Sequence, residues 1–198
     1  MNTEANFDTL YLVRHLDLRY GGLSTYEINV LLYLSQLLSV YDENSIANWG
    51  YYFTHNEYGA PLSTAVIKQI EYLIKTGILT QDESKYVTLY DSFQGFEQFE
   101  HLTVFEWRKK YLNASIILSL SKTIPQISNA LQCEPGIRKL VKLKRTSTLY
   151  AYTGTKLEEV FQDFSIIKSI LSANPEDVLV PASVWIDHLI KTSESQLL

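Results

Sequence analysis

The stretch from Tyr58 to Tyr90, YGAPLSTAVIKQIEYLIKTGILTQDESKYVTLY, carries the clearest structural pattern in the chain. Its apolar residues between Val66 and Ile74 recur at i, i+1, i+4, i+7 and i+8, the spacing of one face of an amphipathic helix. Ser63 is suited to cap the start of this helix, and Gly77 is suited to end it in the left-handed conformation. The stretch therefore predicts a helix that begins after Ser63 and ends before Gly77.

Two β-prone runs follow that glycine. Residues 78–80 and 85–90 flank a polar turn at 81–84, which predicts a short hairpin. Helix, glycine, strand, turn, strand is the order of the closing half of a winged helix. The predicted helix is nevertheless a weak DNA reader. Its outward face is predicted to consist of Lys68, Gln69, Glu71, Tyr72 and Lys75, so its only basic residues are two lysines, offset by Glu71, where base-reading helices bring Arg, Asn or Gln and more positive charge.

Upstream of this stretch, the pattern is helical in one place and ambiguous in another. Residues 7–20 are apolar and fit either a helix or a strand that ends at Gly21-Gly22. Ser24 and Glu27 form a capping box, which predicts a helix to about Ser39. Residues 41–62 are rich in turn formers and aromatic residues, with a short helix from Ser45 as one possibility.

The second half of the chain repeats this order less clearly. Helices are predicted for 103–120, from Thr123 to Gln132 and from Pro135 to Lys144, followed by a β-prone run at 146–153. The face of the first of these helices is predicted to consist of Val104, Trp107, Tyr111, Ala114 and Leu118. A further capping box, Thr155 to Glu158, opens a helix to about Ala173, and a last helix is expected at 182–191.

The predicted fold class is therefore α+β and predominantly helical, with tandem winged-helix-like lobes and C-terminal helices. We expect a first lobe with an N-terminal segment at 1–100, a second lobe at 101–155 and the C-terminal helices at 156–198.

Charge is distributed unevenly along the chain. The net charge is −5, yet the segment from Arg108 to Arg145 holds nine basic residues against the single acid Glu134. A localised basic face on an acidic body fits phosphate contacts, an acidic protein partner, or pairing with the chain's own acidic lobes, and the spacing does not separate these readings. The candidate DNA- or partner-binding residues are Arg108, Lys109, Arg138, Lys139, Lys142, Lys144 and Arg145.

Aromatic residues supply candidates for a protein interface, because tyrosine and tryptophan combine a large apolar face with a polar group. The candidates are Trp49, Tyr51 and Tyr52 in the aromatic loop and Trp185 in the last predicted helix. The predicted wings are expected to form protein interfaces as well.

Motifs of catalysis are missing from the sequence. It contains no phosphate-binding glycine loop, no nucleophile elbow and no zinc-protease motif. Its four histidines are too scattered to pair locally, and each is expected to be a hydrogen-bonded surface or boundary residue rather than a metal ligand; they are His15, His55, His101 and His188. Glu83 and Lys85 form an acid-x-Lys unit of the kind found in metal-dependent nucleases, but charged residues are also ordinary at a turn. The single cysteine, Cys133, is expected to be a buried apolar residue rather than a nucleophile or a zinc ligand. We therefore expect a protein without catalytic activity, metal or cofactor.

Localisation is predicted from two features of the sequence. The apolar runs are far shorter than the roughly 20 residues that a bilayer crossing requires. The first residues include Glu4 and Asp8 and do not resemble a secretory leader. We expect a cytoplasmic protein.

The run YGAPLS…IEYLIKTGIL…YVTLY, with WGYYF before it, resembles small winged-helix subunits encoded beside ATPases of the SMC and ABC type in bacterial defence loci. Over residues 24–155 the chain is similar in outline to the middle component of three-component ABC systems, to the small subunit of Lamassu systems and to tandem winged-helix partners of SMC complexes. The pattern also resembles antitoxin-associated winged-helix domains, and it departs from the family in placing alanine between Gly59 and Pro61.

The resemblance implies a non-catalytic adaptor between an SMC-like ATPase and an effector such as a nuclease, acting on DNA in anti-phage or anti-plasmid defence. The alternative that it implies is a free-standing DNA-binding regulator or antitoxin.

Overall fold

A computed structural model describes residues 2–41, 44, 46–55, 60–89, 94–133, 147–148, 166–167, 169–171 and 178–195. The helices in these ranges are α1 (Thr3–Tyr20), α2 (Thr25–Tyr41), α3 (Thr64–Lys75), α4 (Gln94–Glu100), α5 (Thr103–Ser121), α6 (Ile124–Gln132) and α7 (Leu179–Glu194). A 3₁₀ turn covers Ile46–Trp49, and the strands are β1 (Thr54–His55), β2 (Pro61–Leu62), β3 (Leu79–Asp82), β4 (Lys85–Thr88) and β5 (Ser147–Thr148). The mainly helical α+β class is confirmed.

The ambiguous N-terminal run is a helix, α1. The Asn2 side chain caps it by accepting a hydrogen bond from the Ala5 amide, and Gly21 ends it at φ 60°. Gly22 follows at φ 99°, where a Cβ would lie 2.7 Å from the Val87 Cγ1 atom. The glycine pair is therefore required, because the chain turns tightly against β4 at this point.

The capping box at the start of α2 is confirmed. The Ser24 amide donates to the Glu27 carboxylate at 2.8 Å, and the Glu27 amide donates back to the Ser24 hydroxyl at 3.3 Å. Just before it, Leu23 forms an isolated antiparallel bridge with Tyr86. The segment between α1 and α2 thereby adds a short third member beside the β3–β4 hairpin.

Helix α3 and the β3–β4 hairpin follow the predicted pattern, except that Gln69, predicted on the outward face of α3, is buried. Val66, Ile70 and Leu73 are buried, and Gly77 follows the helix at φ 71°. Ser63 occupies the cap position, but its side chain makes no capping hydrogen bond. Its amide instead donates to the Asn29 Oδ1 atom of α2 at 2.8 Å.

One hydrophobic core joins elements from all three predicted units. Helix α5 packs on α1 and α2: the Ser35 hydroxyl donates to the Ser115 hydroxyl at 2.9 Å, and the Tyr11 hydroxyl donates to Asn113 at 2.8 Å. The core therefore crosses the boundary predicted at residue 100, although the division into folding units stays a prediction.

Several expectations for the second half need correction. Val104, predicted on the apolar face of α5, is 65% exposed, whereas Phe105 and Leu112 are buried. The β-prone run predicted at 146–153 contains strand β5, which pairs with β1 of the first predicted lobe, with Thr54 opposite Thr148. Helix α4 was not predicted.

Other predicted elements lie outside the described residues. These are the helix from Pro135 to Lys144 and most of the helix from Thr155 to Ala173, of which 166–167 and 169–170 are helical. The last helix, α7, is confirmed and begins earlier than expected, with Pro181 in its first turn.

Candidate interaction surface

The outward face of α3 presents charged and aromatic side chains to solvent. Lys68, Glu71 and Lys75 are exposed, and Tyr72 is 40% exposed. They lie opposite the buried positions Val66, Ile70 and Leu73 because the helical repeat separates the two sets. Within the described part of the chain, no ion pair involves any of the three charged residues, so this face is available to a partner.

The tip of the β3–β4 hairpin is acidic. Asp82 and Glu83 are exposed there, and Glu83 adopts the left-handed conformation at φ 51°. Lys85, the one basic residue of the hairpin, turns inward, and its Nζ atom donates to the Tyr20 carbonyl at 2.7 Å. We call Lys68, Glu71, Tyr72, Lys75, Asp82 and Glu83 together the α3–hairpin surface.

This geometry does not favour the nuclease alternative. Metal-dependent nucleases of the acid-x-Lys type need the acid and the lysine directed at one cation, yet the Lys85 ammonium is held against the end of α1. In the described ranges, no group of His, Cys, Asp and Glu side chains is arranged to hold a metal ion.

Two of the seven candidate DNA- or partner-binding residues are described, and neither is a free cation. Arg108 is 1% exposed and forms an ion pair with Asp8, so its assignment as a DNA or partner contact is wrong. Lys109 is paired with Glu106 on the same helix at 2.8 Å. The remaining candidates lie outside the described residues; they are Arg138, Lys139, Lys142, Lys144 and Arg145.

Three of the four predicted interface aromatics are in the core. Trp49 is 0% exposed, and Tyr51 and Trp185 are each 4% exposed, so these three side chains are not available to a partner. Tyr52 is 57% exposed and remains a candidate. The error has a simple cause: tyrosine and tryptophan suit cores and interfaces alike, and composition does not separate the two.

Arg108, Asp8, Tyr51 and Trp49 form a buried polar cluster that the sequence patterns did not reveal. The Arg108 Nε atom donates to the Asp8 Oδ1 atom at 2.8 Å, and its Nη2 group donates to Oδ2. The Tyr51 hydroxyl donates to the same carboxylate at 2.6 Å. The Arg108 guanidinium also stacks 4.3 Å from the centre of the Trp49 ring.

Proton transfer is not what this cluster supports. Burial raises the pKa of the Asp8 carboxyl, and the adjacent Arg108 opposes that rise. Burial also raises the pKa of Tyr51 well above its ordinary value, and the negative charge of Asp8 adds to the effect. Because Tyr51 keeps its proton and Arg108 is always charged, the cluster supports the fold rather than a proton transfer.

A helical wheel of α5 could have predicted that Arg108 lies on the buried face of the helix. Arg108 follows Phe105 by three residues and precedes Leu112 by four, so all three lie on the same face of α5. Both flanking residues are buried.

The histidines do not form a common site. His15 hydrogen-bonds the Tyr11 carbonyl at 2.8 Å, and His101 and His188 are exposed. His55 was expected at the surface or boundary with a hydrogen-bonded ring, but it is 0% exposed. Neither of its ring nitrogens has a hydrogen-bond partner among the described residues.

Cys133 is half-buried at the end of α6. Among the described helices, none is long and apolar enough to cross a membrane.

Comparison with protein-family models, with curated proteins and with solved structures found no match for this chain.

Proposed function

We propose that residues 3–89 form a winged helix. The support is the order of elements: α1, the Leu23 bridge, α2, α3 and then the β3–β4 hairpin, with Leu23 pairing to Tyr86 so that β4 lies between β3 and Leu23. In this interpretation α3 is the third helix and the hairpin is the wing. The short β1–β2 pair is an insertion between the second and third helices. A second winged-helix-like lobe at 101–155 is part of the same proposal.

The protein then acts as a non-catalytic accessory subunit of an SMC- or ABC-type ATPase complex. Its partners are the ATPase and an effector such as a nuclease, and the complex acts on DNA in the cytoplasm, in anti-phage or anti-plasmid defence. The resemblance of residues 24–155 to small subunits of such systems suggests the complex.

The observation that carries the proposal is the chemistry of the α3–hairpin surface. On a DNA-reading winged helix, the third helix and the wing meet a dense row of phosphates, so exposed acids at both places oppose binding. Here Glu71 lies between the two lysines of α3, and Asp82 and Glu83 occupy the tip of the hairpin. Mixed charges beside an exposed tyrosine suit a protein surface, where opposite charges set register and aromatic residues supply contact area.

Charge reversal tests this assignment. We expect the double variant Lys68→Glu/Lys75→Glu, co-expressed with the SMC-like ATPase, to recover at least tenfold less ATPase than the wild type in an affinity pull-down. Both side chains are exposed, so circular dichroism and thermal unfolding should be unchanged. Lys191→Glu on α7 is the matched control, since it reverses an exposed lysine away from this surface.

A double variant that recovers as much ATPase as the control would contradict the proposal. The same proteins should be titrated with duplex DNA at several salt concentrations. If the chain alone binds DNA with a steep salt dependence that the double variant loses, the alternative of a free-standing regulator or antitoxin is correct.

The basic segment enters as a second contact, with DNA or with an acidic subunit. Replacing Arg138, Lys139, Lys142 and Arg145 by alanine in the same assays assigns it. Loss of DNA binding would assign the segment to DNA. Loss of complex assembly with unchanged DNA binding would assign it to an acidic subunit.

A further inference from the structure

Residues 48–51 comprise the last two residues of the 3₁₀ turn, Asn48 and Trp49, and the next two residues, which lie in no helix or strand. Four consecutive carbonyls in this short segment nevertheless each accept a hydrogen bond from a distant side chain. Arg108 donates to the Asn48 and Trp49 carbonyls, at N···O distances of 3.4 and 3.2 Å. Asn2 donates to the Gly50 carbonyl at 2.8 Å, and Gln36 donates to the Tyr51 carbonyl at 3.1 Å. Helix α5, the cap of α1 and helix α2 thus supply the pairing that a helix or a sheet would otherwise provide.

Arg108 makes the largest contribution to this arrangement. One edge of its guanidinium binds both carboxylate oxygens of Asp8, while its Nη1 and Nη2 groups also reach the Asn48 and Trp49 carbonyls. Only a planar group with several fixed N–H donors can bind a carboxylate with two hydrogen bonds and reach two carbonyls at the same time. A lysine ammonium at this position could keep the ion pair with Asp8 but could not make all four of these hydrogen bonds.

We propose that Arg108 is a conformational lock that holds residues 48–51 against α1 and α5 in a single arrangement. This lock fixes the backbone position at which the side chains begin to alternate between the core and the solvent. Tyr51 and Phe53 on either side are buried, so fixing this backbone directs the Tyr52 ring, which is 57% exposed, toward solvent. This role of Arg108 does not depend on the function proposed above.

The variant Arg108→Lys separates the lock from the ion pair. Under native conditions, we expect hydrogen exchange in peptides covering residues 46–53 to accelerate at least tenfold, while peptides in α2 from 30 to 38 exchange at the wild-type rate. Arg14→Lys is the matched control, because Arg14 pairs with Glu97 and Glu100 on α4. It should leave peptides 46–53 unchanged.

Wild-type exchange at 46–53 in Arg108→Lys overturns the proposal. Equal acceleration in α2 also overturns it, because it shows that Arg108 supports the whole core rather than this segment. If Arg108→Lys does not fold, the double variant Asp8→Leu/Arg108→Met replaces the pair with apolar side chains, a change that buried ion pairs often tolerate. We expect that protein to fold with peptides 46–53 still exchanging at least tenfold faster, and wild-type protection there contradicts the lock.

Discussion

His55 is a fully buried imidazole on β1. Its ring lies edge-on to the Tyr33 ring, with the ring centres 4.7 Å apart. Burial lowers the pKa of His55 from 6.5 to about 4. The folded protein therefore holds this ring neutral at pH values where an unfolded chain would protonate it.

The shift predicts that the folded state is less stable in mild acid. Because the pKa is lower in the folded state, the unfolded chain binds more protons between pH 6.5 and 4, so stability falls as the pH falls through this window. The contribution of His55 to the free energy of unfolding should drop by about 2 kcal/mol between pH 7 and pH 5. Urea unfolding at several pH values measures this dependence.

Two variants isolate the effect. His55→Phe keeps a ring against Tyr33 without a titrating group and should have a flatter pH dependence than the wild type. His188→Gln, at an exposed position, should keep the wild-type dependence. An unchanged pH dependence in His55→Phe would show that another group is responsible.

Single residues were the least predictable part of the chain. Arg108 was assigned to a basic face because it begins the segment of nine basic residues, yet its side chain is 1% exposed. The deciding information is Asp8, a hundred residues earlier, whose carboxylate accepts the guanidinium inside the core. No local pattern pairs these two residues, because the contact exists only after α1 and α5 pack together.

The β3–β4 hairpin is the element with the most unusual backbone. Glu83 adopts φ 51° in its two-residue turn, a conformation that costs a residue with a Cβ about 1–2 kcal/mol and costs glycine far less. The side chain is exposed at the tip.

Glu83→Gly should therefore stabilise the protein. Glycine removes the strain of the left-handed conformation, but it also makes the unfolded chain more flexible, which offsets part of that gain. The free energy of unfolding should therefore rise by a net amount on the order of 0.5–1 kcal/mol. Thermal unfolding should show a midpoint a few degrees higher. Ser84→Gly, at the neighbouring turn position, should lower the midpoint, and a lower midpoint in Glu83→Gly would contradict the assigned backbone.

Elements with local signals were predictable from sequence. The Ser24 and Glu27 capping box, the apolar spacing of α3 and the turn predicted at 81–84 each depend on neighbours within a few residues. The structure contains all three, with the turn confined to 83–84. Strand β5 pairs with β1 across more than 90 residues of chain, so its partner could not be read from its own composition. Helix α4 has only seven residues, and its Phe96 and Phe99 pack on Phe7 of α1. Tertiary packing rather than local sequence accounts for that helix.

At the scale of the whole molecule, one core supports a surface of mixed charge. The chain carries a net charge of −5, and the exposed acids of the hairpin tip add local repulsion to any phosphate backbone near α3. An acidic body that presents two lysines, a tyrosine and a row of acids is better matched to a protein with complementary charges than to bare duplex DNA. We propose that the partner ATPase binds at the α3–hairpin surface.

Hydrogen exchange of the wild-type chain, alone and in complex with the SMC-like ATPase, tests this claim most directly. We predict that peptides covering residues 64–76 and 79–88 become protected on binding, while peptides in α7 exchange as they do in the free chain. The claim is contradicted if the complex forms and these two peptide groups keep their free exchange rates.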